Sequence, residues 1–213
     1  MANDCYTEYV IRGEQHEVKA LYDAIKELEK PVAPLIGNGW GKLWAGYLVE
    51  KLGGSYKDMC CRGEIASCEL HESGTEMYVC TVSAWSELDE VRNFIVGKFP
   101  SLKVLYASEE GGCSYYETND VDCEVFGHYK LEVVGVDGAN DEQQYFNTSD
   151  EVLDELGKTI GVRFESIEQA LEYIEDFNEQ DESGDRFINL CVFDVVGVEE
   201  NEANNHLESE GDL

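Results

Sequence analysis

Short segments in which hydrophobic and polar residues alternate occur throughout the first two thirds of the chain. A period of two is typical of a strand with one buried face. Two of these segments are separated only by the loop HESGT, whose glycine suits a positive φ, and this arrangement predicts a β-hairpin. The predicted strands cover residues 5–12, 62–70, 76–84, 102–108, 113–117 and 124–136.

Other segments repeat their apolar residues every three or four positions, which is the period of an amphipathic helix. The predicted helices run from Gly13 to Pro31, Trp40 to Leu52, Ser86 to Pro100, Thr148 to Gly157 and Ser166 to Phe177. Ser86, Thr148 and Ser166 each precede an acidic or amide residue by three positions, a spacing that predicts N-terminal capping.

The order of these elements predicts an α+β fold. The first six main elements match a ferredoxin-like split β-α-β unit, an antiparallel sheet with its helices on one face, with one inserted helix before the hairpin. We assign residues 1–136 to this domain and residues 137–198 to a C-terminal α/β extension packed on it. In the extension, residues 187–196 form an unbroken apolar run typical of a buried strand. Residues 199–213 lack any apolar period and are predicted to be a disordered acidic tail.

Charge narrows the function classes. The chain has 213 residues with 15 Lys and Arg against 46 Asp and Glu, a formal net charge of -31. Such a charge disfavours direct binding to nucleic acid or to an anionic membrane. No apolar run approaches the roughly 18 residues of a membrane span, and the N-terminus lacks a secretory pattern, so we expect a cytoplasmic protein. Hydrophobic residues at 43% nevertheless indicate a folded chain.

The eight cysteines are irregularly spaced, so we expect free thiols rather than a disulfide framework. The densest group of potential metal ligands is Cys60, Cys61, Cys68, His71 and Cys80. It lacks the Cys-x2-Cys turn typical of structural zinc sites. We therefore expect neither metal nor cofactor, and the spacing leaves open whether Cys68 and Cys80 pair.

The acidic residues are concentrated in the second half of the chain, where residues 101–213 carry 30 acids and 5 bases. Many lie off the apolar stripe of the last predicted helix, and a further pair follows the fourth predicted strand. The candidate partner-binding residues are Glu168, Glu172, Glu175, Asp176, Glu179, Glu109 and Glu110. A candidate aromatic patch consists of Trp85, Tyr115 and Tyr116.

Several short motifs together resemble a known family. They are MANDC at 1–5, CRGEI at 61–65, SAWS at 83–86, KFPSLKVLYASEEGG at 98–112 and YYETND at 115–120. The chain over about residues 1–135 resembles the YubB ferredoxin-like family of phage, plasmid and gut-bacterial proteins, which overlaps domains of unknown function. The resemblance implies a ferredoxin-like topology and a mobile-element setting, and it supplies no catalytic residue.

The sequence favours a non-enzymatic protein whose acidic second half binds a basic protein partner. The most specific form of this hypothesis is a DNA mimic, in which carboxylates are placed like phosphates. One alternative is a housekeeping module whose acidity serves solubility only. Another is a small-molecule enzyme with a site near Gly37 to Leu52, where three glycines precede a helix.

Overall fold

A computed structural model describes residues 3–30, 41–136, 142–181 and 185–197 of the chain. Within these ranges the fold is mixed α+β, with nine strands in two sheets and five α-helices. The predicted α+β class is therefore confirmed, and the tail at 199–213 lies outside the described residues.

The first sheet has six strands in the order β2-β3-β1-β4-β5-β9. Its strands are β1 (Asp4–Arg12), β2 (Gly63–Leu70), β3 (Glu76–Ala84), β4 (Lys103–Glu110), β5 (Tyr115–Thr118) and β9 (Asp194–Val195). Neighbouring strands are antiparallel except β5 and β9, which pair in parallel. Because β9 comes from the end of the described chain, the C-terminal part completes the edge of this sheet.

Three helices cover one face of the first sheet: α1 (Gln15–Leu28), α2 (Ala45–Lys51) and α3 (Asp89–Lys98). The apolar stripe of α1, with Leu21 fully buried, packs against the odd-numbered side chains of β1, such as Tyr9 and Ile11. Alternation along the strands places these side chains on a single face. The period-two segments thus form the main core.

The second sheet has three antiparallel strands in the order β7-β6-β8. They are β6 (Tyr129–Val134), β7 (Glu142–Phe146) and β8 (Phe187–Val192). One face is covered by α4 (Ser149–Ile160) and α5 (Ile167–Gln180). The predicted caps of these two helices are present, since Thr148 and Glu151 form a capping box and Ser166 accepts a hydrogen bond from the Gln169 backbone N–H.

The other face of the second sheet packs against the first sheet. Cys191 and Phe193 contact Val10, Leu105 and Ala107 on the side away from α1 to α3. Both faces of β1 are therefore covered over residues 9–11, and the strict alternation of its exposed and buried positions stops there. Near Tyr6 the same face of β1 stays uncovered.

Four local predictions need correction. The sequence pattern predicts no helix or strand between residue 136 and Thr148, but the polar residues 142–146 form β7 because pairing with β6 satisfies their backbone groups. The run 187–196 is two strands in two different sheets, separated at Phe193. Ser86 does not cap α3, whose N-cap is Leu88. The second helix begins at Ala45, because Trp44 is bridged to Glu64.

Candidate functional site

The uncovered half of the first sheet is the most distinctive surface of the described chain. It combines two exposed aromatic rings, with Tyr6 55% and Tyr78 41% exposed. The exposed acids of this face include Glu8 on β1 and both Glu64 and Glu69 on β2. Aromatic side chains are enriched in protein interfaces. This half-sheet, which we call the open face, is therefore a candidate binding surface.

A groove of about 220 Å³ runs along the open face to the junction with the second sheet. Small residues form its floor, with Cys80 and Ala107 directly opposite Glu8 on the neighbouring strands. Its further lining residues are Tyr6, Thr7, Ala66, Thr81, Val82, Glu109, Tyr145 and Phe193. Binding sites occur preferentially at such junctions between structural units.

The wall of the groove is a packed aromatic cluster. The ring centroids of Tyr145 and Phe193 lie 6.1 Å apart, and Phe193 in turn lies 6.0 Å from Tyr116. Phe126 supports Tyr145 from the other side at 5.8 Å. Rings held by several neighbours keep their orientation, so this wall is preorganised.

Two carboxylates give the groove a negative charge. Glu109 accepts a hydrogen bond of 2.5 Å from the buried ammonium of Lys130, so that part of its charge is compensated. None of the ion pairs among the described residues involves Glu8. Burial raises the pKa of Tyr145, and the nearby charges of Glu8 and Glu109 raise it further. Glu8 is thus the uncompensated charge of the groove.

A second polar cluster is buried on the helix-covered face of the same sheet. The side chain of Glu87 is 2% exposed and accepts hydrogen bonds from Tyr9 at 2.8 Å and Arg92 at 3.1 Å. The Arg92 guanidinium stacks over the ring of Tyr106, whose hydroxyl donates to Glu117 at 2.5 Å. Every charged group here has a partner, which is typical of a structural network.

Glu87 predicts a specific dependence of stability on pH. Burial raises the pKa of Glu87 above its ordinary value of 4.5, although Arg92 and Tyr9 act in the opposite direction. A raised folded-state pKa contributes stability that is fully present below pH 4.5 and is lost as pH rises through the raised value. We expect the stability advantage of the wild type over Glu87→Gln to be larger at pH 5 than at pH 8. Urea unfolding at both values measures it, and an advantage that is equal or larger at pH 8 contradicts this expectation.

The predicted aromatic patch is split between different surfaces. Tyr115 and Tyr116 are adjacent on β5 and point to opposite faces of the sheet. Tyr116 joins the aromatic cluster of the groove wall, whereas Tyr115 lies on the opposite face, where burial raises the pKa of its hydroxyl. Trp85 is 44% exposed and has a left-handed backbone with φ of 76°, a strained conformation for a bulky residue.

The predicted acidic residues also separate. Glu109 lines the groove, but Glu110 is only 3% exposed and accepts hydrogen bonds of 2.8 Å from the backbone N–H groups of Gly112 and Cys113. This placement removes Glu110 from the surface that the sequence predicted. The exposed acids of α5 are Glu168, Glu172, Glu175, Asp176 and Glu179.

The region near Gly37 to Leu52 is only partly within the described residues, which resume at Gly41. There Trp44 is buried, and its indole N–H donates to the carbonyl of Cys61 at 2.5 Å. α2 is likewise largely buried. The described part of this segment is mainly packing surface, and Ala45 and Leu48 line an apolar cavity of about 50 Å³ in the helix-covered core.

The strand register shows that Cys68 and Cys80 are not paired. Cys68 pairs with Val79 and lies in the helix-covered core, whereas Cys80 lines the groove on the opposite face. Burial raises the pKa of Cys68 to about 12. All eight cysteines are free thiols. In the parts of the chain that the structure describes, no group of three His, Cys, Asp or Glu side chains is placed to hold a metal ion.

Sequence reasoning missed Tyr6 and Glu8. Their signal was the alternation of CYTEYVIR, which places both side chains on one face of β1. It could not show that this face stays half uncovered.

None of the helices in the described ranges has the length and apolar character to cross a membrane.

No protein-family model matches this chain, and searches of curated proteins and of solved structures find no similar protein.

Proposed function

We propose that this protein is a non-catalytic binding protein whose open face binds a basic segment of another protein. The observation that carries the proposal is the combination of exposed rings, a preformed groove and an uncompensated carboxylate on one surface. Aromatic rings supply contact area at low cost in conformational entropy, and the carboxylates select positive charge.

The distribution of positive charge supports this choice of partner. At the far end of β1 from Tyr6, Arg12 is paired with Glu76, and Lys103, its neighbour in register on β4, is paired with Glu124. These two basic side chains are therefore already compensated. With a net charge of -31, the whole molecule attracts a basic surface and repels polyanions. A basic partner thus gains both from steering and from local complementarity.

The order of β2, β3, β1 and β4, with all three pairings antiparallel, supports the finer proposal of a ferredoxin-like unit at the N-terminus. Membership of the YubB family, the mobile-element setting and the cytoplasmic location stay predictions. The domain boundaries at 136 and 198 also stay predictions, although β9 adds residues of the proposed extension to the first sheet.

Mimicry of nucleic acid is the second candidate, and the arrangement of two helices favours it. α4 and α5 lie side by side on one face of the second sheet, and both present carboxylates outward, such as Asp154 and Glu172. Along α5, Glu168 and Glu172 are separated by about 6 Å of helix axis. Competition between duplex DNA and this protein for the captured partner tests the idea.

Cross-linking in the host lysate, followed by mass spectrometry, tests the proposed function. We expect one basic protein to be cross-linked to residues of the open face, and capture to weaken at high salt because surface charges are screened. The variant Glu8→Gln/Glu64→Gln/Glu69→Gln should reduce capture severalfold.

The matched control is Glu168→Gln/Glu172→Gln/Glu175→Gln, which removes the same number of charges from α5. If the open face binds the partner, this control slows association but preserves the cross-linked positions. Cross-links scattered over all acidic surfaces, or equal losses in both variants, would overturn docking on the open face. Equal losses would favour acidity as a general property of the surface.

A further inference from the structure

We propose that the groove is an anchoring site for one arginine side chain of the basic partner, with Glu8 as the anion that binds its guanidinium. This inference rests on the proposed function and names the chemistry of the contact. It follows from the size, the walls and the charge of the groove.

The groove has the size of one long side chain. Its volume is about 220 Å³. The floor is low because Cys80 and Ala107, directly across from Glu8, are small. A planar group can therefore lie on the sheet beside the Glu8 carboxylate.

The walls favour arginine over lysine. Tyr6 and Tyr145 both line the groove, and a guanidinium stacks on aromatic rings better than an ammonium does. Glu8 and Glu109 stand on adjacent strands, two residues apart in register, so that the several N–H donors of a guanidinium can reach both. An ammonium is a compact point charge that cannot use both the rings and the separated carboxylates in this way.

The methyl groups of Ala66 and Ala107 line the groove and provide NMR probes at the site itself. We would titrate the full chain, labelled at alanine methyls, with N-acetylarginine methylamide, with the corresponding lysine compound and with the uncharged citrulline analogue. Ala20 on α1 and Ala170 in the second core serve as internal controls. We expect saturable shifts at the two groove methyls with arginine, and affinity for citrulline weaker by about fivefold, as for an exposed ion pair.

Glu8→Gln should weaken arginine binding by a similar factor, while Glu69→Gln, on the same face but outside the groove, should leave it within about twofold. Glu8 is exposed, so its replacement should not alter the melting temperature. Equal binding of arginine and citrulline, equal binding of the lysine analogue, or shifts confined to the control methyls would overturn the anchor. Partner capture that is unchanged by Glu8→Gln would refute the anchor alone, whereas absence of any captured partner would refute the proposed function.

Discussion

Replacing Asp120 with alanine is expected to lower the free energy of unfolding by about 4 kcal/mol. Asp120 is 1% exposed and lies at the start of the segment that links the two sheets. Its carboxylate accepts hydrogen bonds from the backbone N–H groups of Glu124 at 2.9 Å, Val125 at 2.7 Å and Phe126 at 2.9 Å. Alanine leaves these three donors without the acceptor, and each hydrogen bond to a charged group contributes about 1.5–3 kcal/mol. The expected loss lies below the sum of three such contributions because the contacts of Glu124 and Val125 are only partly buried, so that water can replace the acceptor there.

Thermal unfolding of the purified variant measures this effect. For a chain of this length, a loss of about 4 kcal/mol corresponds to a fall in melting temperature of roughly 8–16 °C. Asp120→Asn keeps one carbonyl acceptor, so its melting temperature should lie between those of the wild type and Asp120→Ala. Asp122→Ala removes an exposed acid of the same segment and should change stability by less than about 0.5 kcal/mol. A melting temperature for Asp120→Ala within about 3 °C of the wild type would contradict the role of this carboxylate.

The same substitution should affect the groove. The carboxylate of Asp120 holds the backbone of Phe126, whose ring packs against the groove residue Tyr145. If this segment loosens, the aromatic wall loses one of its supports. Arginine affinity should therefore fall in Asp120→Ala under conditions in which the variant remains folded.

Replacing Glu87 with alanine is the second large effect that we expect, with a loss of about 3 kcal/mol. The truncation leaves the guanidinium of Arg92, 20% exposed, without its carboxylate, and it leaves the Tyr9 hydroxyl without its acceptor. Removing one partner of a buried ion pair costs about 3–5 kcal/mol because the remaining charge stays desolvated. Because Arg92 is partly exposed, we expect a loss of stability at the lower end of this range.

Urea unfolding at pH 7 compares Glu87→Ala with two controls. Asp89→Ala, two residues along the chain, removes an exposed acid from the first turn of α3 and should cost no more than about 1 kcal/mol. The double variant Glu87→Ala/Arg92→Met should recover part of the loss, because no uncompensated charge remains. A double variant less stable than Glu87→Ala would show that Arg92 stabilises the fold independently of Glu87.

The placement of Trp85 beside this network follows from the turn after β3. The turn reverses the chain so that Glu87 enters the core while Trp85 stays exposed. The Trp85 backbone N–H donates to the carbonyl of Asn3 at 3.1 Å, which holds the strained conformation. The sequence motif SAWS indicated a helix cap at Ser86, but the N-cap of α3 is Leu88, and the side chain of the intervening Glu87 is hydrogen-bonded in the core.

The sequence by itself determined the elements whose periodicity is strong. β1 was predictable because CYTEYVIR alternates over its whole length, and α5 because its apolar stripe recurs at helical spacing after a Ser166 cap. Such patterns arise because each helix or strand presents one apolar face to the core, so they can be recognised in the local sequence. The free thiols were predictable from the irregular spacing of the cysteines, and the excess of carboxylates from the composition.

The tertiary structure alone decided which surfaces remain uncovered. β7 was missed because its polar residues show no apolar alternation, and only pairing with β6 makes it a strand. The two tyrosines of β5 are adjacent in sequence, yet strand geometry sends them to opposite faces. Tyr6 and Glu8 became a candidate site only because the second sheet covers β1 near Val10 and stops short of Tyr6. How far one sheet overlaps another is set by packing between residues far apart in the chain, which no local pattern shows.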